Sequence, residues 1–62
     1  MEQLMIKAIR EFKKQYPEGE IRSVIVSSWT GSYQKVLEAS FEIEYVTESG
    51  GLYYKAYIRV AK

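Results

Sequence analysis

The sequence predicts an α+β fold: an N-terminal helix packed in the concave face of a curved three-stranded antiparallel meander, in the order α-β-β-β. Three observations carry that prediction. Apolar residues recur at helical spacing up to the only proline, Pro17. Three later runs are rich in β-forming residues, and short Gly-containing segments separate them. With 62 residues, the chain is one domain, residues 1–62.

The helix comes first. From Glu2 to Tyr16, the residues Leu4, Met5, Ala8, Ile9, Phe12 and Tyr16, together with Met1, follow the i, i+3, i+4 spacing of one helical face. Ile6 lies off that face and is predicted to be exposed. Glu2 in the first turn and Lys13 and Lys14 in the last suit the helix dipole. Pro17 cannot continue the helix. Pro17-Glu18-Gly19 then forms a tight connection, with Gly19 expected to supply a positive φ.

The β-like runs are residues 20–29, 33–47 and 52–61. Thr30-Gly31-Ser32 and Glu48-Ser49-Gly50-Gly51 separate them, which reads as two hairpins around a central second strand. A turn at Ser49-Gly50 pairs Tyr45 with Tyr54, Ile43 with Ala56, Phe41 with Ile58 and Ala39 with Val60. On the other face Glu44 meets Lys55, Glu42 meets Tyr57 and Ser40 meets Arg59. One face is then apolar and the other polar, and a one-residue slip would destroy the sorting.

The first hairpin sorts less cleanly. A Gly31-Ser32 turn sets Val26 opposite Leu37 and Val24 opposite Ala39, but then places Arg22 against Phe41. One extra residue, a β-bulge near Arg22-Ser23, lets Ile21 meet Phe41 instead. A second bulge at Ser27-Ser28 would swing Trp29 onto the core face; without it Trp29 points to the far face. The central strand, about 15 residues, would be roughly 50 Å long if straight, against about 22 Å of helix. The sheet must therefore bend round the helix.

Chemistry is conspicuous by omission. The chain has no Cys, His, Asp or Asn, and all eight acids are Glu. Thiolate and imidazole metal ligands are absent, and so is the usual base for a serine nucleophile. Glu38, Glu42 and Glu44 share one sheet face with Lys55 and Arg59, the pattern of a salt-bridged solvent face. No phosphate-cradling glycine motif occurs. The expectation is no enzyme: no catalytic residue, no cofactor and no metal site. A net charge of +1 argues against nucleic acid as a partner. No apolar run is long enough to span a membrane. The start, Met1-Glu2-Gln3, is not that of a signal peptide, and the lack of Cys fits a soluble cytosolic chain.

What remains is uncovered sheet. Ile25, Val36, Val46, Tyr53 and Tyr57, with Trp29 if its strand is not bulged twice, are predicted to face away from the helix. The edge formed by Val24-Ile25-Val26-Ser27-Ser28 carries no charge to block pairing. These residues make up a self-association surface, and the partner they suggest is a second copy, docked through the outer sheet face or the first-strand edge.

The order of a helix followed by long antiparallel strands curling round it resembles the cystatin-like and nuclear-transport-factor-like arrangements. Cystatins use a Gln-x-Val-x-Gly hairpin, and Ser28-Trp29-Thr30-Gly31-Ser32 departs from it. The double-stranded RNA-binding domain shares the α-β-β-β start, but its basic second helix has no counterpart here. The dipole-matched helix, the Pro17-Glu18-Gly19 link, the bulge-like positions at Ser23 and Ser27-Ser28 and the Glu44/Lys55 pairing resemble de novo designed curved-sheet proteins. That resemblance implies a designed structural scaffold without a natural biochemical function, able to self-associate. The alternative is a small natural binding or inhibitor module of cystatin-like shape. A more remote one is RNA binding through Lys7, Arg10, Lys13 and Lys14.

Overall fold

The structure, a computed structural model, describes residues 2–48 and 51–62. Met1 and the expected Ser49-Gly50 turn lie outside them. The elements are α1 (Glu2–Gln15), β1 (Glu20–Gly31), β2 (Val36–Val46) and β3 (Tyr53–Ala61). The strands form one antiparallel sheet in the order β1-β2-β3, and the helix packs on one face of it. The α-β-β-β meander is the one the hydrophobic pattern predicts.

Helix α1 buries Leu4, Ala8 and Phe12, while Met5 packs partly against the core. Ile6 is exposed, as its place off the apolar stripe requires. The helix ends at Gln15, one residue before the expected end, although the Tyr16 amide still donates to the Phe12 carbonyl at 2.8 Å. Gly19 N–H then donates to the Tyr16 carbonyl at 3.0 Å, closing a turn with Pro17 at its second position.

Gly19 serves this link differently from the expectation. Among the described residues only Gly31 and Gly51 have positive φ. At Gly19 the constraint is space: a Cβ would lie 2.8 Å from Phe12 Cζ and 3.0 Å from Tyr45 Cδ2. The glycine lets two aromatic rings close over the chain as it enters β1. Phe12, Tyr16 and Tyr45 cluster there, with centroids 5.0–5.2 Å apart. Tyr54 adds a fourth ring 5.7 Å from Tyr45.

The β2–β3 register is the predicted one at every pair, including Phe41 with Ile58 and Glu44 with Lys55. Alternate residues of β2, namely Ala39, Phe41, Ile43 and Tyr45, are all buried. Phe12, Phe41 and Ile43 are the largest side chains closed off from water.

The β1–β2 register differs from the prediction. Val26 faces Phe41, Val24 faces Ile43 and Ile21 faces Tyr45, four positions along β2 from the expected partners. The reason is the turn. Ser32 and Lys35 exchange backbone hydrogen bonds of 3.0 and 3.1 Å around Tyr33-Gln34, so the reversal lies two residues beyond Gly31-Ser32. Gly31 is nevertheless indispensable. Its φ is +112°, and a Cβ would meet the Lys35 carbonyl oxygen at 2.3 Å. It supplies the left-handed residue beside the turn rather than inside it.

The expected bulge near Arg22-Ser23 is present, and so is the one at Ser27-Ser28 that the sequence left open. Register shifts between Ile21 and Ser23, and between Val26 and Ser28, leave Arg22 and Ser27 as extra residues. A third shift, between Thr30 and Gly31, leaves Leu37 extra on β2. The two shifts on β1 reset side-chain parity, so Ile21, Val24, Val26 and Trp29 all stay on the face that β2 presents to the helix, while Ile25 faces away.

These contacts set mutational costs. Phe41→Ala should lose about 3–5 kcal/mol, most of the roughly 3–9 kcal/mol expected for a domain this size. Gly19→Ala should cost about 1–3 kcal/mol by overpacking the ring cluster. Urea denaturation followed by circular dichroism measures both, and a Gly19→Ala protein as stable as the parent would contradict the close approach.

Candidate association surface

Cross-strand pairing sorts the convex face, turned away from α1, into rows. One row is Glu20, Val46 and Tyr53; the next is Ser23, Glu44 and Lys55; a third is Ile25, Glu42 and Tyr57. Apolar and charged side chains thus alternate. Ile25, Tyr53 and Tyr57 are well exposed and Val46 is half-buried. The row of Glu44 and Lys55 separates Ile25 and Tyr57 from Val46 and Tyr53, and within their row Val46 and Tyr53 pair directly.

Three carboxylates of this face, Glu20, Glu38 and Glu42, are engaged. Tyr57 Oη donates to Glu42 Oε1 at 3.0 Å, and Lys55 Nζ lies 4.0 Å from Glu42 Oε2. Lys55 thereby reaches the diagonal neighbour Glu42, while Glu44 is its directly opposed partner in the ladder. Arg59 pairs with Glu38, and Arg22 lies 3.8 Å from Glu20. No group of three metal-ligating side chains occurs among the described residues. The hydrogen bond to Glu42, with that carboxylate's negative charge, pushes the Tyr57 phenol above its usual value. Both effects favour the protonated phenol.

The concave face is covered unevenly. Helix α1 lies over β3 and β2 and makes no comparable approach to β1. Lys7 Nζ, on the helix, donates to the Ala61 carbonyl at 3.1 Å, tying the helix to the end of β3. Ile21 and Val24 still reach the core from β1, but Val26, although it faces buried Phe41, is 39% exposed. Trp29 faces buried Ala39 and is 38% exposed. Tyr33, in the turn, is 95% exposed, its ring 5.6 Å from that of Trp29.

The six residues singled out in the sequence therefore divide between two faces. Ile25, Val46, Tyr53 and Tyr57 lie on the convex side, as expected. Trp29 lies on the concave side because the Ser27 bulge reverses parity before it. Val36 was expected on the outer face; it packs against the core, because the extra residue Leu37 reverses parity on β2. Val26, expected on the core face although part of the uncharged edge, and Tyr33, not singled out, extend the exposed strip begun by Trp29. Val26 carried a core-facing pattern, and nothing in the sequence showed that the helix would sit toward β3. Tyr33 read as a strand residue until the turn moved past Gly31.

Surface depressions are shallow. One of about 310 Å³ is lined by Tyr16, Pro17, Gly19 and Tyr45, and one of about 210 Å³ by Glu2, Lys7, Val36 and Lys62. The first is mainly apolar, and the second is lined by the polar side chains Glu2, Gln3, Lys7, Gln34, Lys35 and Lys62. No described helix is long and apolar enough to cross a membrane. No family model, curated protein or solved structure matches this chain.

The Tyr57–Glu42 bond has a pH signature. A phenol whose folded pKa is raised adds stability below its unfolded value, about 10, and loses it as pH rises through the folded value. The parent should thus exceed Tyr57→Phe in denaturation midpoint at neutral pH, and the gap should shrink at alkaline pH. A gap constant across that range would show that the bond adds nothing.

Proposed function

We propose that this chain is a designed structural scaffold: a unit whose sequence specifies sheet curvature and register rather than a reaction. The observation that supports this most is where the irregularities fall. Arg22 and Ser27 are extra residues at the two register shifts on β1, and each falls where an unbroken ladder would turn apolar side chains of β1 to the wrong face, while a third shift exchanges Leu37 for Val36 on the core side of β2. Gly19 and Gly31 stand where a Cβ would collide with a ring or with backbone. Glu20, Glu38 and Glu42 each have a cationic partner on the convex face, and no described side-chain polar atom is buried without a partner. Local and global preferences agree along the chain, as they do in idealised proteins. The cystatin-like outline is, on this reading, architecture alone.

The molecular interaction that accompanies this reading is homodimerisation through the sheet. The first strand is an edge strand, and its residues from Ser23 to Ser32 include no charge. Edges of this kind pair with further chains unless blocked.

Two measurements test the proposal. A thermal melt should show the hyperstability typical of idealised designs, with a midpoint above about 90 °C. A midpoint in the range of ordinary mesophilic domains, about 45–65 °C, would count against design. Sedimentation equilibrium should show the mean mass rising from that of one 7.2 kDa chain toward two as concentration increases.

A further inference from the structure

We infer that the concave flank of β1, the strip of Val24, Val26 and Trp29 beside the helix, seats the same strip of a second copy. This deepens the self-association proposed above and rests on it, while placing the interface on the concave flank of the first strand rather than on its backbone edge.

Four observations carry it. The first is surface area. A compact monomer of 7.2 kDa should expose about 4,100 Å², and this chain exposes 4684 Å². Its radius of gyration is 12.2 Å, against roughly 10.6 Å for a compact domain of this length. The excess area is on the order of 600 Å² per chain, near the roughly 800 Å² each partner contributes to a stable interface. The second is location. The helix leaves β1 uncovered, so Val26 and Trp29 stay open to water although they stand opposite the buried residues Phe41 and Ala39. Covering them would extend the existing core sideways.

The third is charge. No ionisable acid or base lies between Ser23 and Ser32, so two copies of the strip meet without repulsion, and the strip offers no charge by which a different partner would be selected. The fourth is composition and symmetry. Trp and Tyr are the side chains that most often anchor interfaces, and Trp29 and Tyr33 lie at one end of the strip while Val24 and Val26 lie toward the other. Two strips laid antiparallel about a two-fold axis bring Trp29 of each over the valines of the other, an isologous arrangement that closes at two copies. The bulges at Arg22 and Ser27 interrupt the strand, so side-chain contact on the flank, rather than a long backbone ladder, dominates the contact. The convex face lacks such a strip, since charged rows separate its apolar ones.

Trp29 is the only tryptophan, so its emission reports the site directly. Sedimentation equilibrium and tryptophan emission, recorded from micromolar to millimolar concentration, should show the mass doubling together with a blue shift. Trp29→Lys and Val26→Lys should each remain one chain at the highest concentration, with native circular dichroism. Tyr53→Lys and Tyr57→Lys, on the convex face of β3, should dimerise within about twofold of the parent. Should Trp29→Lys fail to fold, Val26→Lys carries the test, since that side chain lies outside the buried core. A parent fixed at one chain overturns self-association altogether. A dimeric parent that Val26→Lys leaves intact, or that Tyr57→Lys dissociates, overturns the concave flank while leaving self-association standing.

Discussion

The burial of Phe12, edge-on to Tyr45 and in one core with Phe41 and Ile43, is the interaction on which the rest depends. With 62 residues and no disulfide, the chain has one chance to build a core. Phe12 can be closed off only if β2 turns every second side chain toward α1. That condition fixes β2's pairing on both sides. It makes the β3 register a regular ladder and the β1 register a broken one, because β1 is longer and must bend. The bulges at Arg22 and Ser27 and the glycine at Gly31 follow from keeping one face apolar along a curved strand.

The same economy explains the exposed flank. A helix of 14 residues spans about 21 Å, and a single helix cannot cover three strands at once. Tied by Lys7 to the end of β3, it leaves the far strand uncovered. The convex face mixes charged side chains among its apolar ones and so presents no continuous apolar area to cover. Surface chemistry and core geometry are thus set by one decision, the lateral position of the helix. The exposed concave strip is its by-product.

Much of this was legible in the sequence. Apolar spacing and Pro17 place the helix to within one residue. Alternation in the last two runs gives the β2–β3 ladder pair by pair, because a slip there would bury Glu42 and Glu44. The need for an extra residue near Arg22-Ser23 also follows from parity, whereas the one at Ser27-Ser28 does not, since Trp29 fits either face of the pattern. The first turn did not follow, because a glycine beside a turn and a glycine within it leave the same mark. Gly31 marks the right neighbourhood, but its positive φ serves the residue preceding the reversal. That two-residue difference shifts the partners of β1 by four and, with the Leu37 bulge, changes the face of Val36. The exposure of Val26 was beyond reach for another reason: it depends on where the helix sits across the sheet, which no local pattern records.

The central claim is that the bulges hold the apolar residues of β1 in line with the core face of β2. Cross-strand proton contacts measured by nuclear Overhauser spectroscopy test it most directly. The account requires backbone contacts joining Val24 to Ile43, Val26 to Phe41 and Trp29 to Ala39 in one molecule, with the indole on the side of the helix. Contacts joining Val26 to Leu37, or an indole on the side of Glu42 and Tyr57, would contradict it.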